Sequence, residues 1–195
     1  MNLNEWNDYI DQEFSRVVNT PTDINEHLQD LHDLACECEH VTEFGSRRGV
    51  STRAFLKAPV SLRAYDVYVH EPLTKLFDMA QNVNKDVKYI KGNTLNVYIE
   101  ETDMLFIDTW HTAYQLKQEL RIHGNQARKY LVFHDTHTYG VVDETENWAA
   151  NPNRKAIENQ GLLHVIIEFV MANPHWQFKR IKTNNNGLTV LERRG

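Results

Sequence analysis

Val41-Thr42-Glu43-Phe44-Gly45-Ser46-Arg47-Arg48-Gly49 is the stretch on which the reading of this chain turns. Val41 to Phe44 reads as a short strand. Two glycines then break the pattern, and Ser51 to Lys57 resumes at helical spacing. A strand that passes through a glycine-bearing loop into a helix opens a βαβ unit. Glycine lets the backbone turn sharply and lets a ligand come close to the main chain. The amides at the following helix start favour a negative or polar group. A tight turn with no ligand would use the same residues. The spacing Glu43-x-Gly45-x-x-x-Gly49-x-Ser51 is not Gly-x-Gly-x-x-Gly, which counts against a dinucleotide dehydrogenase.

Downstream of this loop the alternation repeats. Ser61 to Asp66 reads as a second strand, Pro72 to Asn82 as a helix, and Asp86 to Ile90 as a third strand ending at Lys91-Gly92-Asn93-Thr94. Asp103 to Asp108 carries the unbroken apolar run Met104-Leu105-Phe106-Ile107, expected of a parallel strand buried on both faces. A helix from Thr112 to His123 leads to the strand Tyr130 to Phe133. Arg154 to Met171 is expected to be a helix. Trp176 to Lys182 and Leu188 to Glu192 then flank Asn184-Asn185-Asn186-Gly187, a strong hairpin signal. Upstream, residues 1–40 read as helices covering one face or edge of the sheet, with Thr22 or Asp23 a candidate cap before Ile24, Leu28, Leu31 and Leu34. The expected organisation is a helical extension over 1–40 packed on one α/β unit over 41–195.

The bulk properties fit that picture. A chain of 195 residues with 41% hydrophobic and 25% charged residues is ordinary for one soluble domain. Its formal charge is −6, from 21 basic and 27 acidic residues, which argues against a general nucleic-acid binder. No apolar run approaches the ~20 residues that span a bilayer. Met1 to Gln12 is polar and acidic, without the order of a secretory signal, so a cytoplasmic location and no membrane partner are expected. Cys36 and Cys38 are too close for an unstrained disulfide and too few for a zinc site, and are expected as reduced structural thiols on a helix.

Polar residues gather where the strands stop. Asp66 follows the glycine loop by about twenty residues, where an acidic side chain can bind ribose hydroxyls or simply cap a helix. Asp108-Thr109-Trp110-His111 and His134-Asp135-Thr136-His137 both begin at the ends of apolar strands and should reach one crevice. Carboxylates and histidines there can bind a hard cation or move a proton, and a histidine ligand shifts preference from magnesium toward a transition metal. Helix capping by the aspartates and local bonding by the histidines is the alternative.

At these residues the sequence resembles class I S-adenosylmethionine-dependent methyltransferases. Val41 to Gly49 looks like their first motif. Asp103 to His111 with Phe133-His134-Asp135 is similar to the branch of macrocin-type O-methyltransferases and cephalosporin-hydroxylase-like proteins. The resemblance covers roughly residues 41–139 and implies a Rossmann-like fold: a mostly parallel seven-stranded sheet, a C-terminal antiparallel hairpin and N-terminal helices.

The resemblance also implies roles. Glu43, Gly45, Ser46 and Gly49 would hold the methionine moiety of S-adenosylmethionine, Asp66 the ribose, and Asn93 would lie near the adenine, with Ser51 and Asp108 also on the cofactor. Asp108 and Asp135 match acidic positions that bind magnesium in some relatives. Those relatives often carry Asp-Gly-Asp-x-His, and here the second aspartate is replaced by Trp110. Asp108, His111 and His134 are the catalytic candidates, with His137 another candidate base. The expected reaction is O-methyl transfer to a small-molecule or sugar acceptor. A non-catalytic S-adenosylmethionine-binding module, a metal-dependent hydrolase and a nicotinamide oxidoreductase remain as alternatives, and a homo-oligomer is open. Asp143 to Asn153 reads either as a lid over the crevice or as a surface loop.

Overall fold

A computed structural model describes residues 1–145 and 159–194. The chain begins with helix α1 (Leu3–Val18), a 3-10 turn (Asn25–His27) and helix α2 (Leu28–Cys36). Five parallel strands follow: β1 (His40–Phe44), β2 (Ser61–Asp66), β3 (Val87–Lys91), β4 (Thr102–Ile107) and β5 (Ala127–His134). Helix α3 (Val50–Lys57) joins β1 to β2, α4 (Glu71–Gln81) joins β2 to β3, and α5 (Ala113–His123) joins β4 to β5. After α6 (Gly161–Ala172), β6 (Trp176–Lys182) and β7 (Leu188–Arg193) close the sheet as an antiparallel hairpin. The strand order is β3-β2-β1-β4-β5-β7-β6, with β7 inserted antiparallel between β5 and β6. This is the expected α/β sheet with its C-terminal hairpin.

Side-chain alternation along the central strands separates two cores. Met104 and Phe106 of β4 point with Val41 and Leu62 into a core completed by Trp6, Ile10, Leu28, Leu31, Phe55 and Phe77. Leu105 and Ile107 point the other way, with Phe44 and Phe133, onto Leu116 and Leu120 of α5 and Leu162 and Ile166 of α6. Burial on both faces is why β4 has no polar residue between Met104 and Ile107. The N-terminal helices share the first core, so residues 1–40 are packed against α3 and the sheet rather than standing apart.

The local signals have identifiable causes. Asn2 and Glu5 form a reciprocal capping box at the start of α1. The Thr22 hydroxyl accepts from the amide of Asn25 at 3.0 Å, but the cap positions expected at Thr22 or Asp23 fall instead on Ile24 for the 3-10 turn and His27 for α2, neither of which caps through its side chain. Thr112 caps α5 through the amide of Gln115. Asn184 to Gly187 forms the hairpin turn, with Asn185, Asn186 and Gly187 all at positive φ.

Three expectations need correction. β5 runs from Ala127 to His134, beyond the apolar run Tyr130 to Phe133, because Ala127 is buried in the core and pairs with Thr102 of β4 while Arg128 and Lys129 between them are exposed. Helix α6 starts at Gly161; the part of the expected helix from Arg154 to Glu158 lies outside the described residues. Both cysteines are free, but only Cys36 is in a helix, exposed in its last turn, while Cys38 is buried beyond it. Among the described residues no helix is long and apolar enough to cross a membrane.

Candidate active site

The carboxyl ends of β1, β2, β4 and β5 meet at one edge of the sheet. Gly45, immediately after β1, has φ +84°, and a Cβ placed on it would lie 1.8 Å from the carbonyl oxygen of Asp108. Only glycine fits where these two strand ends converge. Gly49 takes φ +77° and caps α3. Beside this loop is a cavity of ≈ 660 Å³ bordered by Thr22, Asp23, Ile24, Gly45, Ser46, Arg47, Arg48, Val50, Ser51, His70 and Asp108. The segment between α1 and α2 therefore forms one wall of the crevice, a contribution that periodicity in residues 1–40 did not signal.

Beneath the glycine loop the acidic groups are occupied by the fold. Glu43 is fully buried and accepts from the hydroxyls of Ser51 at 2.6 Å and Thr52 at 2.8 Å. Burial raises its carboxyl to about 7, against the lowering effect of those two hydroxyls. The side chain sits under the loop and fastens it to α3 rather than lining the cavity. Asp66 accepts from the amides of Arg47 at 2.7 Å and Tyr68 at 2.9 Å, which ties the end of β2 to the loop. Ser46 and Ser51 border the cavity. Asn93 does not; its side chain accepts from the amide of Leu95 in the turn after β3.

A denser cluster stands at the ends of β4 and β5. The His111 Nε2 is 3.4 Å from Asp108 Oδ1 and 2.9 Å from Asp135 Oδ2. His134 Nδ1 makes the same pair of approaches, 3.4 Å to Asp108 and 3.0 Å to Asp135. The longer approaches to Asp108 have hydrogen-bond geometry, and the shorter ones to Asp135 are ion-pair contacts. The side chains of Asp108, His134 and Asp135 are buried. Asp135 is held at φ +60°, a left-handed conformation that an aspartate tolerates better than most residues.

The remaining ring nitrogens are engaged as well. His134 Nε2 lies 3.2 Å from the carbonyl of Asn185 in the hairpin turn. His111 Nδ1 is 3.0 Å from Glu144 Oε2, a close ion pair rather than an aligned hydrogen bond, and the ring stacks on Tyr139 with centroids 4.9 Å apart. With acceptors facing both nitrogens, each imidazole keeps both protons. Burial works against this, yet the neighbouring carboxylates outweigh it, raising His111 well above its ordinary value and His134 to about 10. Burial would likewise push Asp108 and Asp135 up, but the two imidazoles hold both below the usual carboxylate range. His137, by contrast, is exposed and outside the cluster. Trp110 is half-buried beside it, with an Nε1 that has no partner among the described residues.

Three participants escaped the reading of the sequence. Glu144 falls within the Asp143 to Asn153 segment, and its amide also donates to the His111 carbonyl at 2.8 Å. Asp143 accepts from the amides of Ala113 and Gly161, both at 2.9 Å, pinning the starts of α5 and α6. These two residues are anchored, and positions 146–153 of that segment lie outside the described residues. His27, fully buried, contacts the carbonyls of Asn184 and Asn185 and lies edge-on to His134, with ring centroids 5.8 Å apart. Nothing local in the sequence relates residue 27 to residue 134. The Asn-Gly signal marked the turn but not its place under the cluster.

No sequence-family profile and no curated protein sequence matches the chain. Solved structures do. A proposed O-methyltransferase from Klebsiella pneumoniae is similar with a TM-score of 0.64 at 16% identity, covering 97% of this chain and 90% of that one. An O-methyltransferase from Bacillus cereus in complex with S-adenosylhomocysteine gives 0.62 at 15% identity, covering 97% and 91%. A methyltransferase of Podospora anserina, also bound to S-adenosylhomocysteine, gives 0.57 at 13% identity, covering 99% and 88%. The similarity spans nearly the whole chain and is a similarity of fold: that of the class I methyltransferases, as the motifs suggested.

Proposed function

We propose that this chain is an S-adenosylmethionine-dependent methyltransferase that methylates an oxygen of a small-molecule or sugar acceptor. The observation that carries the reading is the ≈ 660 Å³ cavity between the Gly45 loop and Asp108, at the carboxyl edge of a sheet with the methyltransferase strand order. Ligands of open α/β sheets bind at that edge, and the volume falls within the ~300–1,000 Å³ of ordinary small-molecule sites. Neighbours of the same fold hold S-adenosylhomocysteine. The donor set fits such a cofactor: the Ser46 and Ser51 hydroxyls, the His70 imidazole, and the guanidinium groups of Arg47 and Arg48 for a carboxylate.

In this reading Gly45, Ser46, Gly49 and Ser51 hold the methionine end. Asp66, whose carboxylate retains acceptor capacity beyond its two amide bonds, meets the ribose. Asn93 is assigned to the adenine side from its place after β3. Glu43 acts through the loop it fastens. When bound, the sulfonium supplies a methyl group already activated for transfer to a nucleophile. The protein's task is then alignment, which is worth on the order of 7–11 kcal/mol, and removal of the acceptor proton. Asp108, His111 and His134 are the catalytic candidates. Because both imidazoles hold their protons and keep the carboxylates of the cluster ionised, His111 and His134 stabilise the negative charge that develops on the acceptor oxygen as its proton leaves to solvent.

Calorimetric titration of the purified chain with S-adenosylmethionine and S-adenosylhomocysteine tests the cofactor assignment, and turnover with a panel of hydroxylated acceptors tests the reaction. Saturable binding of both, with methyl transfer lost at least 100-fold in Asp135→Asn while binding is kept, is the expected result. Failure to bind either compound removes the reading. Binding without transfer to any acceptor would favour a cofactor-binding module.

A further inference from the structure

Helix α5 buries two stripes of side chains. Ala113, Leu116 and Leu120 pack into the second core, the single apolar face that a surface helix needs in order to dock. Gln115, Glu119 and His123 follow one another at intervals of four along a second line, and all three are buried although they are polar. Burying such groups costs free energy unless they find partners. Here the partners come from the loops after β3 and β4.

Glu119 is the centre of this line. The Thr94 hydroxyl donates to its Oε1 at 2.5 Å, Gln115 Nε2 donates to the same oxygen at 2.8 Å, and the Thr109 hydroxyl donates to Oε2 at 2.9 Å. Gln115 also donates to the Thr94 hydroxyl at 3.1 Å, and His123 Nε2 donates to the Thr94 carbonyl at 2.8 Å. Thr94 comes directly after Asn93, and Thr109 directly after Asp108, which borders the cavity. Thr109 is also beside the glycine loop: a Cβ on Gly45 would lie 3.3 Å from its amide nitrogen. One carboxyl therefore fastens two loops that end different strands, without itself bordering the cavity. Burial raises this carboxyl to about 7, against the lowering effect of its three donors. The clasp works by hydrogen bonding rather than by charge, so an amide of the same length should take its place.

We propose, on the cofactor assignment made above, that Glu119 is a positioning residue for S-adenosylmethionine: by joining Thr94 to Thr109 it holds the adenine side of the cavity in register with Asp108. Loss of the clasp leaves buried hydroxyls unsatisfied and frees the two loops from each other, so a ligand must reorder them as it binds. The effect falls on affinity for the adenosyl compound more than on the sheet, which is held by its own two cores.

The test is calorimetric titration of the full chain with S-adenosylhomocysteine, with urea denaturation of each variant alongside. Glu119→Ala is expected to raise the dissociation constant about tenfold or more, and Glu119→Gln to bring it back within about threefold of the parent. Leu120→Val trims the apolar stripe of the same helix and should lower stability with no change in affinity. In a double-mutant cycle, Thr109→Val should weaken binding in the parent and add nothing to Glu119→Ala. An affinity kept by Glu119→Ala while the parent binds would overturn the clasp's role and leave the methyltransferase reading standing. So would an equal loss in Leu120→Val, which would make the effect one of general loosening, or a Glu119→Gln variant as weak as Glu119→Ala. A parent that binds no S-adenosylhomocysteine would remove the reading and the role together. Should Glu119→Ala fail to fold, Thr94→Val and Thr109→Val carry the same test: each should weaken binding about threefold, and unchanged affinity in both would overturn the role.

Discussion

The two halves of the carboxyl edge use their acidic residues in opposite ways. On the β1–β2 side, Glu43 and Asp66 are bound to hydroxyls and amides of their own loop, and the charge is either neutralised or spent on backbone. On the β4–β5 side, Asp108 and Asp135 face imidazoles, and the charges are kept and opposed at 2.9–3.4 Å. Burial with no cation beside it raises the Glu43 carboxyl in spite of its hydroxyl partners, whereas a carboxyl that faces a cation stays ionised. The first side is suited to shaping a cradle and the second to holding an ion or steering a proton.

The two halves touch at Gly45, and breaking that contact should have the largest effect. Gly45→Ala would set a methyl group 1.8 Å from the Asp108 carbonyl oxygen at a φ of +84°, with backbone on both sides of the clash. A loss of more than about 4 kcal/mol is expected in urea denaturation, enough to remove most of the stability of a marginal domain. A variant within 1 kcal/mol of the parent would show that the strand ends do not meet as described.

A second prediction concerns pH. The Glu43 carboxyl is raised from 4.5 to about 7, so the folded chain holds a proton that the unfolded chain releases between those values. Its contribution to stability is fully present below pH 4.5 and is lost as pH rises through about 7. The size is on the order of 3 kcal/mol. Glu43→Gln should flatten this part of the stability profile and leave the fold relatively more stable at pH 8. The other half has the reverse sign for its carboxylates: Asp108 and Asp135 are lowered, so their contribution is present above pH 3.8 and is lost on acidification. Denaturation curves from pH 3 to 9 that show no such difference between Glu43→Gln and the parent would erase the contrast.

The smallest effect is expected at Asp66. Asp66→Asn replaces a charged acceptor of two amides with a neutral one, costing about 1 kcal/mol and raising the dissociation constant for S-adenosylmethionine about tenfold. An unchanged affinity together with the stability loss would leave Asp66 as a loop fastener alone.

The parts of this picture that could be read from the sequence are local. The short stretch Val41 to Phe44 ahead of a glycine loop, the apolar run Met104 to Ile107 and the Asn-Gly turn each report a strand or hairpin through their immediate neighbours. The cluster was legible only in outline, because Asp108, His111, His134 and Asp135 sit beside strand ends. Glu144 was not, since its link to His111 spans thirty-three residues. His27 and Asn185 are more distant still, joined by packing of the N-terminal turn on the hairpin.

The sequence by itself determined the order of strands and helices, the glycine loop and the edge of the sheet at which its polar residues gather. Periodicity and backbone freedom are properties of neighbouring residues, which is why they survive in a linear reading. Tertiary structure alone decided that Glu43 faces hydroxyls while Asp108 and Asp135 face imidazoles, and that residues 22–24 wall the cavity. Protonation and coordination depend on which groups lie within about 3 Å after folding, where burial magnifies each charge, and sequence spacing does not carry that distance.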